Sequence, residues 1–180
     1  MKFRFLSALA VILFLTSTAA PARADVTLTP FLGGLFKGQL PTKKVTYGVS
    51  LAAMGKGVIG GEVDFSWAPK FVDETRTAKA VREANFTGNL IVGIPVGGTH
   101  GASFRPYVVG GVGLIRATNK ASDFGAKLTN NDFAYDLGGG VMGTINDHLG
   151  LRADLRYFRT TSTTNEFKFF RGTGGVVLKF

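Results

Sequence analysis

Between Val58 and Ala68 the chain alternates polar or charged residues with large apolar ones from Glu62 to Trp67. Val63, Phe65 and Trp67 fall on one side of the segment, and Glu62, Asp64 and Ser66 on the other. A period of two belongs to a strand, whose successive side chains point to opposite faces. One face must then meet something apolar and the other something wet.

The pattern recurs down the chain. Leu149 to Phe158 sets Leu149, Leu151, Ala153, Leu155 and Tyr157 against Arg152, Asp154 and Arg156. Asp132 to Ile145 sets Phe133, Tyr135, Leu137, Val141 and Ile145 against Asp136 and Thr144. Val45 to Ala53 and Asn85 to Val96 alternate in the same way, and Val26 to Gly34, Phe104 to Arg116 and Phe167 to Phe180 do so more weakly. Eight strands are therefore expected, many close to the roughly 9–11 residues that a tilted membrane strand needs. Glycines crowd several of them, as in Gly110-Gly111-Val112-Gly113 and Gly138-Gly139-Gly140. In a narrow barrel such glycines permit curvature and leave room for large lumen side chains.

The start of the chain is of another kind. Lys2 and Arg4 precede an apolar run from Phe5 to Leu15, and Ala22-Arg23-Ala24 is a small-x-small cleavage site. This is the pattern of a secretory signal peptide, too short in its apolar part to span a bilayer. Residues 1–24 are expected to be removed, leaving a single barrel domain over 25–180. Three basic residues leave with the signal, so 18 basic face 12 acidic residues, a net charge of +6. Export separates that charge from nucleic acid, and the expected polyanion is lipopolysaccharide phosphate or another charged surface. The absence of cysteine excludes disulfides and thiolate metal sites. With no second apolar stretch long enough for a membrane helix, only a closed barrel could satisfy the backbone in lipid.

The segments between strands are expected to alternate in length. Gly55-Lys56-Gly57, Gly97 to Ser103 and Asn146-Asp147-His148 are short; Leu35 to Lys44, Pro69 to Ala84, Ala117 to Asn131 and Thr160 to Glu166 are mostly longer and more charged. Short periplasmic turns and longer outer loops are the layout of outer-membrane barrels.

The last residues, Thr173-Gly174-Gly175-Val176-Val177-Leu178-Lys179-Phe180, resemble the C-terminal signal of such barrels, with Thr173, Gly175, Leu178 and Phe180 in the marked positions. Arg105 to Gly113 and Leu149 to Tyr157 also resemble strands of the small outer-membrane β-barrel family that includes the OmpA transmembrane domain, OmpX and the Ail-type adhesins. The resemblance covers the whole mature chain. It implies an eight-stranded antiparallel up-and-down transmembrane β-barrel in the bacterial outer membrane, met by the barrel-assembly machinery during biogenesis.

Within that frame Glu62, Asp64, Asp136, Arg152, Asp154 and Arg156 would face the lumen. Acids and bases together are more economically read as a lumen ion-pair network than as acid–base catalysts, because charges in low dielectric must be partnered. His100 and His148 lie in short turns with no serine or acid motif around them, so no catalytic role, metal or cofactor is expected. Gly138, Gly140 and Gly143 match G-x-G-x-x-G, but a strand rather than a helix continues behind them, which denies the motif its phosphate site. Trp67, Tyr47, Phe86, Tyr135, Tyr157 and Phe180 suit an interfacial girdle. Lys37, Lys43 and Lys44 make the first outer loop basic, and Lys70, Arg76, Lys79 and Arg82 the second. The expected role is therefore structural or surface-interacting: envelope integrity, adhesion or polyanion binding through the outer loops. A small-conductance pore is the alternative; a soluble lipocalin-like periplasmic carrier and a lipid-modifying enzyme are more distant ones. The carrier is distinguished by the direction of the faces, since Phe65, Trp67, Leu151 and Leu155 would then point inward.

Overall fold

A computed structural model describes residues 24–38, 44–55, 58–69, 81–97, 102–120, 127–161 and 168–180. They form eight strands: β1 (Ala24–Gly38), β2 (Lys44–Gly55), β3 (Ile59–Ala68), β4 (Val81–Gly93), β5 (Ser103–Lys120), β6 (Lys127–Thr144), β7 (Leu149–Thr160) and β8 (Lys168–Lys179). Each strand pairs antiparallel with the next, and β8 pairs antiparallel with β1, closing an eight-stranded barrel. Closure leaves no unpaired edge, which is the condition for a sheet to stand in hydrocarbon. Of the signal expected over 1–24, residues 1–23 lie outside the described residues, and Ala24 is the first residue of β1.

The direction of the faces is unambiguous. Phe65, Leu151 and Leu155 are 42%, 59% and 48% exposed on the outside, whereas Glu62, Asp64, Arg152 and Arg156 are buried within. Trp67 is half-buried on the outer face beside Tyr47 in the β2–β3 ladder. Large apolar side chains are exposed on all eight strands and form a continuous coat, far larger than the patches a water-soluble monomer shows. Such a coat excludes the lipocalin-like arrangement, in which the apolar set lines the interior.

Two expectations about the connections need correction. The loop expected over Ala117 to Asn131 is mostly strand: β5 and β6 stay in register to Lys120↔Lys127, leaving 121–126 between them. Beyond the lipid zone a strand needs no apolar face, so Thr118-Asn119-Lys120 and Leu128-Thr129-Asn130 hide the ladder from an alternation test. The turn end of the barrel also holds one longer connection, since β4 stops at Gly93 and β5 starts at Ser103. Ile94 N–H still donates to the Pro106 carbonyl at 3.0 Å, but Pro106 has no N–H to return the bond, and among the described residues the pairing beyond it is an isolated Val96↔Phe104 bridge. That segment exceeds the first outer connection, 39–43, so the lengths do not strictly alternate.

Candidate functional site

Inward-facing side chains stack in three layers. Nearest the outer loops, Leu35, Ala68, Ile115, Ala134, Phe158 and Phe169 form an apolar cluster. Phe158 and Phe169 are opposite each other in the β7–β8 ladder and stack with ring centroids 5.0 Å apart and planes 7° apart. Nearest the short turns, Met54, Ile91, Tyr107, Val109, Met142 and Val177 form a second apolar cluster. All the lumen charges expected from the sequence lie in the layer between, with buried side chains.

Arg156 is fully buried and anchors the middle layer. Its Nη2 lies 2.6 Å from Glu62 Oε1 and 3.2 Å from Asp154 Oδ2, and its Nη1 lies 3.8 Å from Asp64 and 3.7 Å from Asp136. Arg152 pairs with the other Glu62 oxygen at 2.5 Å and with Asp154 at 3.1 Å. Glu62 also accepts from Ser50 Oγ at 2.9 Å and Asn89 Nδ2 at 3.1 Å. Asp154 accepts from Thr173 Oγ1 at 2.9 Å and from the Tyr107 hydroxyl at 3.1 Å; that hydroxyl in turn accepts from Arg152 Nε at 2.7 Å. Glu62, Arg152, Asp154 and Arg156 therefore each meet several opposite or polar partners, the condition under which buried ions can be held. Asp136 is the loosest member: its carboxylate makes no hydrogen bond among the described residues.

The sequence did not single out Arg171, which completes this layer. It reaches Asp64 with two parallel hydrogen bonds of 2.8 and 2.9 Å, donates to Ser66 Oγ at 3.0 Å, and lies over the rings of Phe31 and Phe158 at 5.1 and 5.0 Å. A planar guanidinium is suited to this combination of a bidentate carboxylate and flanking aromatic faces. Tyr107 was likewise missed, while Ser50 and Asn89 fall on the polar faces of their alternating segments without having been assigned to the network. Their signal was their parity: each lies in step with the inward charges of its own strand or its neighbour.

Tight curvature has a visible use at Gly140. A Cβ there would stand 2.5 Å from the Tyr107 hydroxyl and 2.7 Å from Asp154 Cβ, so the glycine makes room for that hydrogen-bonded pair. Gly138, Gly140 and Gly143 all lie within β6, with no helix behind them. Among Thr29, Ser50, Asp64, Arg152, Asp154 and Thr173 the packing leaves no space for a water-sized sphere. At the turn end, Asp25 lies 3.1 Å from Arg105 and 3.2 Å from Lys179, a small ion cluster beneath the lower apolar layer.

Of the remaining candidates, Thr173 and Gly175 point inward on β8, Leu178 points outward, and Phe180 is exposed at the turn end, its backbone N–H donating to the Val26 carbonyl at 3.0 Å. Tyr47 and Phe86 are exposed near the outer-loop end, and Tyr135 and Tyr157 are half-buried there. His148 is exposed in the turn between β6 and β7. Lys44 is half-buried at the outer-loop end of β2; Lys43, His100, Lys70, Arg76, Lys79 and the side chains of Lys37 and Arg82 lie outside the described residues. Among the described residues no group of three or more His, Asp or Glu is placed to hold a metal ion.

A closed antiparallel barrel with an apolar exterior and a packed, ion-paired interior defines a small transmembrane β-barrel. The chain belongs to the outer membrane protein beta-barrel domain family, whose model matches residues 6–180, and it is a bacterial outer-membrane protein. Solved structures repeat the fold at low identity. Neisserial surface protein A (NspA) superposes with a TM-score of 0.67 at 14% identity, covering 87% of this chain and 97% of its own. The N-terminal β-barrel domain of Pseudomonas aeruginosa OprF gives 0.56 at 16%, covering 84% and 96%. Ail, the attachment invasion locus protein of Yersinia pestis, solved in complex with the heparin analogue sucrose octasulfate, gives 0.58 at 13%, covering 87% and 98%. A search of curated proteins found no significant match.

Proposed function

We propose that this protein acts through its outer surface, as a non-catalytic barrel that supports the envelope and presents basic outer loops to polyanions such as lipopolysaccharide. The observation that carries the reading is the packed lumen. Two apolar layers enclose a charged layer whose arginines are held by fixed carboxylates, and this filling of the interior by the described side chains supports a surface role over a pore. An eight-stranded barrel has an interior just wide enough for its own side chains, in contrast to the channel of a 16-stranded porin. What remains for specific contact is the loop end, as is usual for a rigid scaffold carrying variable connections.

Lys37, Lys43 and Lys44 are grouped around the first outer connection, and the mature chain's net charge of +6 favours anionic partners. The heparin analogue bound to Ail is a precedent for polyanion binding on this fold, at an identity too low to transfer a site. Binding should be electrostatic and weaken as salt rises. Replacing Lys37, Lys43 and Lys44 together by glutamine should lower affinity for immobilised heparin or lipopolysaccharide several-fold at low salt. Binding unchanged by the triple substitution would contradict the role of the first loop.

A further inference from the structure

Arg116 is exposed on the outer face of β5, at its outer-loop end, in step with the exposed Leu114 and Val112. It makes no hydrogen bond or ion pair with a described residue, whereas Arg105, Arg152, Arg156, Arg159 and Arg171 are all engaged. The register explains the difference. Arg116 lies between Ala84 of β4 and Asn131 of β6, and the acids next in line, Glu83 and Asp132, have the lumen parity of Asn85 and Ala134.

The same ladder row runs on from Ala84 to Trp67 of β3 and Tyr47 of β2. Trp67 and Arg116 therefore flank Ala84, two strand spacings or roughly 10 Å apart at the backbone. A methyl group is all that stands between an indole and an unpaired guanidinium. Directly below, Phe86 and Leu114 face each other, both exposed. One step further down β4, Gly88 lies in register with the exposed Val63 and Val112, and a Cβ there would meet nothing within 4 Å. The glycine leaves a trough in the lipid-facing wall between Phe86 and Leu90, roughly 13 Å along the strand from Ala84.

We infer that β3, β4 and β5 seat one phosphorylated glycolipid of the outer leaflet, with its phosphate on Arg116, a sugar ring against Trp67 over Ala84, and an acyl chain in the trough at Gly88. The inference rests on the reading of the outer surface as anion-binding and extends it from the loops to the membrane wall. A guanidinium fork takes two phosphate oxygens at once. An indole offers an apolar face to a ring and an N–H to a hydroxyl. Aromatic side chains of this kind stand at the headgroup level of a bilayer, where such a lipid carries its phosphate. Lipid, rather than free phosphate, is the occupant because the cation, the indole and the trough lie in line down one lipid-facing surface.

The test uses the full-length protein folded in detergent micelles. Trp67 is the chain's single tryptophan, so its emission reports on the site, while native mass spectrometry counts bound lipid. The titrants are bisphosphorylated lipid A, the same lipid dephosphorylated, and inorganic phosphate. Wild type should bind the phosphorylated lipid with a saturable change in Trp67 emission, and inorganic phosphate should not displace it at equal concentration. R116Q should lose about tenfold in affinity for the phosphorylated lipid, the scale of one hydrogen bond to a charged group, and nothing for the dephosphorylated one. R116K, which keeps the charge without the fork, should fall between. G88L fills the trough and should weaken both lipids; A84L does the same if G88L fails to show the gel shift of a folded barrel. Unchanged affinity in R116Q, or an equal loss for both lipids, would overturn the inference. So would displacement by inorganic phosphate at equal concentration, which would mark a free-anion site. If only the K37Q/K43Q/K44Q protein lost lipid A binding, the wall seat would fall while the loop reading stood.

Discussion

Two pairs of like charges cross the same β7–β8 ladder three residues apart and on opposite faces. Inside, Arg156 is in register with Arg171; outside, Arg159 is in register with Lys168. The inner pair is reconciled by fixed acids, because Asp64 lies 2.8 Å from Arg171 and 3.8 Å from Arg156, while Glu62 and Asp154 take the rest of Arg156. The outer pair stands at the outer-loop end of the wall, just above the Tyr157–Phe170 ring pair, where water and salt reach it. The same juxtaposition of like charges is thus held by fixed carboxylates in the dry interior and screened on the outside. Substitutions inside should therefore cost far more stability than substitutions outside.

The largest effect should come from the centre of the lumen. Arg156→Met leaves Glu62, Asp154 and Asp136 short of their shared cation and should cost about 3–5 kcal/mol, the usual cost of breaking a buried ion pair. Urea titration of the protein folded in lipid vesicles would measure it. An effect near zero would mean that the network is not the stabilising element its geometry implies. Arg171→Met should cost roughly 3 kcal/mol by the same argument. Combining it with Asp64→Leu should cost less than the two single changes together, a coupling of roughly 1–3 kcal/mol in a double-mutant cycle. Strict additivity would contradict the bidentate pair.

The exterior sharpens the comparison through depth. Val141 lies outward at mid-height, opposite Ala153, and Ile145 lies outward in the adjoining turn. Val141→Arg should cost about 2–4 kcal/mol and Ile145→Arg about 0–1 kcal/mol, since a charge on the lipid face is costly only within the hydrocarbon. Equal penalties would deny the depth assignment. Smallest of all, the Arg159→Gln, Lys168→Gln double variant should unfold within roughly 0.5 kcal/mol of wild type per substitution, as surface changes usually do. A large destabilisation would make this outer pair structural and break the contrast.

Much of this arrangement is legible in the chain. The eight strands and the inward parity of Glu62, Asp64, Asp136, Arg152, Asp154 and Arg156 follow from alternation, because lipid on one side and a packed interior on the other impose a period of two along each span. Alternation alone does not say which face is outside; the continuous apolar coat does. Arg171 escaped notice because Gly172, Gly174 and Gly175 interrupt the alternation of β8, so its neighbours carry no apolar-charged rhythm. Tyr107 was hidden likewise among the glycines of β5. The outer reaches of β5 and β6 were read as loop because, above the lipid, backbone pairing continues after the demand for an apolar face has ended. Which acid meets which arginine depends on contacts such as Arg171 with Asp64, 107 residues apart, and no local pattern encodes them.

Whether the barrel is closed to ions is decided by single-channel recording. Protein shown to be folded by its mobility shift on boiling is inserted into a planar bilayer under voltage. The membrane should stay silent, because the Phe158–Phe169 layer and the Met54–Met142 layer both lie across the path. Sustained, reproducible conductance steps from the wild-type protein would contradict it and establish a pore.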